Sequence, residues 1–140
     1  MPLTFPDQNA LVALGRNARN PDFRKKLDAA LESRSLSVVV SSWHLIETAN
    51  TTNLGNAIEL ADFIDSLRPD WLLERRDIQR LDVAEDFYKF ANLKFTVSPR
   101  VTTRSAVFAS LNGQKDSSKF DIASRDFVNK TLIRCLNLGN

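Results

Sequence analysis

Carboxylates are the side chains with which this sequence could do chemistry, and two of them, Asp7 and Glu47, stand close behind short apolar runs. A single histidine, His44, excludes a His-based zinc site, and with one cysteine the chain is a poor prospect for a Cys and His nucleophile pair. The four glycines are too dispersed to cradle a phosphate, and neither dinucleotide nor P-loop spacing occurs. What remains suits a hard cation such as Mg²⁺ or Mn²⁺, which takes oxygen ligands from separate strand ends and keeps part of its water. Such an ion activates water and stabilises charge developing on a phosphodiester. Each group also has a plainer reading. Glu47 alone would be an exposed helical glutamate, and His44, three residues earlier on the same helix, would be a partly buried structural residue.

The element that must position Glu47 is the run Ser37 to Glu47. Val38, Val39 and Val40 are β-branched and apolar on both faces, as a central parallel strand covered on each side by helices requires. Ser41 and Ser42 can cap the following helix, which carries Glu47 within its first two turns. Ahead of this, Leu3 to Phe5 reads as a short strand stopped by Pro6, with Leu11, Leu14 and Ala18 at helical spacing beyond it. Asp7 then falls at a strand-to-helix junction. Asn20-Pro21 is a helix start, with Asn as cap and Pro at the first position, and Phe23, Leu27, Ala30 and Leu31 form that helix's apolar stripe. Strand, helix and parallel strand make a right-handed crossover, so Asp7 and the end of the valine strand open on one edge of the sheet. In open α/β sheets ligands gather outside the carboxyl ends of the strands.

Further along, a helix is expected from Leu54 to Leu67, a short strand at Trp71 to Leu73, and a helix from Asp77 to Leu93 with Ile78, Leu81, Ala84, Phe87, Tyr88 and Ala91 inward. Its acids, Asp82, Glu85 and Asp86, read as a solvated face with pairing such as Glu85 to Lys89. Phe95 to Val97 is a candidate strand, Ser105 to Leu111 a short helix, and Ser124 to Leu138 a final amphipathic helix with Phe127, Val128, Leu132, Cys135 and Leu136 inward. No run after Val97 is as strand-like as the valines.

The stretches Phe5 to Leu14 and Val38 to Glu47 together resemble the opening of a PIN-domain nuclease. That family begins with a strand ending in Asp-x-Asn-x-Leu, matched here by Asp7, Asn9 and Leu11. After a helical crossover it has a second strand running into Ser and, further on, an apolar residue and Glu, matched by Ser41 or Ser42, Ile46 and Glu47. The resemblance covers residues 3 to 67. It implies a PIN-like parallel sheet flanked by helices, helix-rich and lacking an evident fifth strand, as one domain over 1–140 or the amino-terminal part of a longer one. It implies that Asp7 and Glu47 are catalytic ligands of Mg²⁺ or Mn²⁺, with Asn9 supporting Asp7 and Ser41 or Ser42 holding the loop. PIN nucleases carry a third and usually a fourth acid on later elements. Here Asp121 is the foremost candidate for the third, with Asp126 and the 82-to-86 cluster behind it. The activity implied is metal-dependent hydrolysis of RNA, and many bacterial members are toxins of toxin–antitoxin pairs. The alternative is a catalytically incomplete PIN-like or RNA interaction module, whose value would lie in an apolar stripe on the final helix or in the basic residues Arg68, Arg75, Arg76 and Arg80.

Composition sets the outer bounds. With 140 residues the chain can bury a core without disulfides or a structural metal. Lys and Arg number 19 against 17 Asp and Glu, so the net charge of +2 restricts nucleic-acid contact to a local patch. One cysteine suits a reducing, cytoplasmic setting, and no apolar run is long enough to span a membrane. The partners expected are RNA, a protein antitoxin or a second copy in a homodimer.

Overall fold

The structure, a computed structural model, describes residues 3–50, 53–94 and 100–130. Strand β1 (Leu3–Thr4) pairs in parallel with β2 (Ser37–Val40), Leu3 lying against Ser37 and Thr4 against Val38. On its other side β2 pairs in parallel with β3 (Asp70–Leu72), with Val39 against Asp70 and Val40 against Trp71. The valine strand is therefore central, as its apolar faces demand. All three valines are buried, Val39 to 4% exposure.

The sheet is mixed rather than parallel throughout. A fourth strand, β4 (Val101–Thr102), runs antiparallel to β3, giving the order β1-β2-β3-β4. Two β-branched residues are too short a signal to be read as a strand from sequence. Its direction follows from the chain path: Leu73 N–H bonds to the Arg100 carbonyl at 2.9 Å, so the chain re-enters the sheet from the edge at which it left β3. The strand order never reverses, and the described part of the fold is a helix-rich α/β arrangement around a small sheet.

Helices α1 (Gln8–Asn17) and α2 (Pro21–Ser33) make the first crossover, and α3 (Ser42–Ala49) and α4 (Leu54–Ser66) the second. Asn20 caps α2 by accepting from Asp22 N–H, and Asn53 caps α4 by accepting from Asn56 N–H. Leu11 of α1, Leu45 of α3, and Ala57, Ala61 and Ile64 of α4 close over Val38 and Val40. Gly15 lets α1 lie close to α4, since an added Cβ would meet Leu60 and Phe63 side-chain carbons at 3.2 Å. Trp71 extends the core to α6 (Arg104–Leu111), where Phe108 stacks on Phe127 with ring centroids 4.8 Å apart. A short 3₁₀ turn (Ser118–Phe120) precedes helical residues 124–130, in which Ser124 and Val128 are buried.

One expectation about packing fails. Helix α5 (Arg75–Phe90) forms where its periodicity places it but has no buried residue. Ile78, Leu81 and Ala84 are half-buried, whereas Phe87, Tyr88 and Ala91 are exposed. Periodicity shows that a helix has an apolar face, not that the same chain covers it. The expected strand at Phe95 to Val97 lies outside the described residues, as do Leu132, Cys135 and Leu136.

Candidate functional site

The site is built on the carboxyl edge of β1, β2 and β3. Pro6 ends β1, and Asp7, with extended backbone, caps α1 by accepting from Ala10 N–H on Oδ1 at 2.7 Å. That hydrogen bond fixes one carboxylate oxygen and leaves Asp7 exposed. Asn9, also exposed in the first turn of α1, makes no hydrogen bond to Asp7 among the described residues, so the support comes from the α1 backbone instead.

On the next strand, Ser41 is the N-cap residue of α3. His44 completes the cap in an unusual way: its Nδ1 accepts from Ser41 N–H at 3.0 Å, the place a glutamate takes in a capping box. Accepting there puts the ring proton on Nε2, which donates to the Pro6 carbonyl at 2.8 Å. His44 is 4% exposed, and Phe5 packs edge-on against it at 5.0 Å. One turn on, Thr48 Oγ1 donates to the His44 carbonyl and accepts from Gln8 Nε2 at 3.0 Å. Pro6 and Gln8, the two neighbours of Asp7, are thus both bonded to α3, at residues that bracket Glu47. His44 is a structural clamp that joins the two candidate segments.

Glu47 is half-buried. Among the described residues neither it nor Asp7 has a basic partner, whereas many of the other acids do: Glu59 with Arg19, Asp62 with Arg125, Asp65 with Arg104, and Asp82 and Glu85 with Arg100. Two carboxylates without basic partners, one just past β1 and one in the second turn of α3, offer oxygen donors of the type a hard cation takes.

Asp121 is placed elsewhere. Because β4 is antiparallel, its end leads to the amino edge of the other strands, where Arg104 bonds Asp65 at 2.9 Å and meets Asp121 at 3.5 Å. The Asp121 side chain is 79% exposed. Asp65 in turn accepts from the Ser124 backbone N–H and hydroxyl, capping the helical residues that follow. Asp121 therefore belongs to a packing contact at the opposite edge from Asp7. Among the described residues no three of His, Cys, Asp and Glu form a group able to hold a metal.

The sequence reading passed over two acids at the carboxyl edge. Glu74 is the residue before α5 and Asp77 lies in its first turn, accepting from Ser110 Oγ at 3.2 Å. Glu74 follows Trp71-Leu72-Leu73 as Asp7 follows β1, but Arg75 and Arg76 directly after it give the stretch a basic character.

Comparison with known proteins leaves the family open: no family model, no curated protein and no solved structure matches this chain. Among the described residues no helix is long and apolar enough to cross a membrane.

Proposed function

We propose that the chain is a PIN-like, Mg²⁺- or Mn²⁺-dependent ribonuclease in which Asp7 and Glu47 hold the ion at the carboxyl edge of β1 and β2. The observation that supports this reading is the double clamp: Pro6 and Gln8 are tied to His44 and Thr48, and the two acids beside those bonds have no basic partner among the described residues. A bound ion would supply activation of water and neutralise charge developing on the phosphodiester. The chain's own part is to orient the acids, through the Ala10 N–H on Asp7 and the first turns of α3 under Glu47. A toxin role rests on the family resemblance alone.

The test measures stability and activity together. Mn²⁺ or Mg²⁺ should raise the melting temperature by binding only the folded state, and Asp7→Asn and Glu47→Gln should each abolish the rise. Cleavage of single-stranded RNA should require the metal and vanish in the same variants. The reading fails if the metal leaves the melting temperature unchanged. Metal stabilisation without cleavage under any condition would favour the alternative, a catalytically incomplete PIN-like or RNA interaction module, which the lack of any three-acid group among the described residues and the bare face of α5 both support.

A further inference from the structure

Helix α5 places an apolar stripe in water. Val83, Phe87 and Phe90 follow one another at helical spacing and are 69%, 62% and 92% exposed. Towards the amino end the same stripe continues through Arg76 and Arg80, both exposed. A helix with such a face and no buried residue marks an interaction surface.

The charge pattern says what fits it. The first turns carry Arg75, Arg76 and Arg80 against the single acid Asp77, and the later turns carry Asp82, Glu85 and Asp86 against the single base Lys89. Such a helix is complementary to itself when reversed. We propose that α5 is the interface of a two-fold homodimer, pairing antiparallel with α5 of a second copy about an axis at Val83. Arg76 and Phe90 each stand seven residues from Val83, and Arg80 and Phe87 three and four. Reversal about Val83 therefore lays the guanidinium groups of one copy over the phenyl rings of the other, a cation–π arrangement. It also brings each basic half against the partner's acidic half. Arg100 bonds Asp82 and Glu85 from within its own chain, while Asp86 has no ion pair among the described residues. A two-fold contact is self-complementary, so Val83 meets its own counterpart.

That last feature makes the proposal testable by cross-linking as well as by mass. Sedimentation should show a dimer at about 0.1 mM, where even an interface at the small end of the usual range is populated. Val83→Arg, which sets two like charges on the axis, and Phe87→Ser with Phe90→Ser should each give a monomer with unchanged circular dichroism. In a Cys135→Ser background, Val83→Cys should form an interchain disulfide under mild oxidation, and Lys89→Cys on the far side of the helix should not. Arg76→Glu with Arg80→Glu, and separately Asp82→Lys with Asp86→Lys, should be monomeric alone and form a dimer on mixing. A wild-type monomer at that concentration overturns the proposal, as does a dimer that persists in Val83→Arg or fails to cross-link at 83. A monomer in which Phe87→Ser abolishes RNA binding would assign the face to nucleic acid instead.

Discussion

His44 shows how far single residues could be read. Its residue type and its place on the helix of Glu47 suggested a structural role, and the structure gives that role two bonds. The partner of Nε2 is the Pro6 carbonyl, 38 residues away, which no local pattern announces. His44→Ala would leave the Ser41 N–H and the Pro6 carbonyl without partners in a half-buried place, and should cost about 2 kcal/mol, measured by chemical denaturation. Asp7 and Glu47 each come after a strand-like run, and the structure sets the first just past β1 and the second in the second turn of α3. Asp121 was misplaced because an acid ahead of a helix looks the same at either edge of a sheet. The contrast with Asp65 is measurable. Asp65→Ala strips Arg104 and Ser124 of their shared acceptor and should cost about 3 kcal/mol, the scale for one partner removed from a partly buried pair. Asp121→Ala, at an exposed pair, should cost less than about 0.5 kcal/mol and leave any metal-induced stabilisation intact.

At the scale of elements, the helix starts carry their signals in residue type. Asp7, Asn20 and Asn53 announce their helices by type, and Pro21 confirms the second. Two residues past the ends of α2, α4 and α5 stand Ser35, Arg68 and Asn92, all in the left-handed region that glycine favours. Past α6 a glycine, Gly113, holds the corresponding place. Ser35 has φ of 49°, and Leu36 N–H closes the motif on the Leu31 carbonyl at 2.9 Å. Ser35→Gly should relieve the steric cost of that conformation and stabilise the protein by about 0.5–1 kcal/mol after glycine's extra unfolded-state entropy. The melting temperature should rise by about 2–4 °C. For β2 the prediction has the opposite sign. Val39→Asp would bury an unpaired carboxylate in the central strand and cost several kcal/mol, of order 3 to 5; an unchanged melting temperature would show that the strand tolerates charge.

For the molecule as a whole, the first half was legible because it is built from two crossovers between parallel strands, each announced by an apolar run and a capped helix. The second half was less so. Its strand β4 spans two residues, its helix α5 buries nothing, and beside the β3–β4 ladder and the Trp71–Phe108 packing it is tied to the first half by side-chain bonds, Asp65 to Arg104 and Ser124 and Asp62 to Arg125. Such bonds join residues 39 to 63 positions apart and leave no trace in periodicity.

The place of β1 in the order β1-β2-β3-β4 gives Asp7 and Glu47 unequal footing. β1 is an outer strand with two paired residues and, among the described residues, a neighbour on one side only, whereas α3 springs from an inner strand. Amide hydrogens of β1 should therefore exchange with deuterium through a local opening far smaller than global unfolding, while those of β2 exchange last. Such an opening would carry Asp7 away from Glu47 with the rest of the core intact, restrained by the Pro6 and Gln8 bonds to α3. A cation bridging the two carboxylates would close it, so added Mn²⁺ should slow exchange in β1 selectively, and His44→Ala should speed it. The outer strand would then serve as the hinged jaw of the site and the valine strand as its anvil.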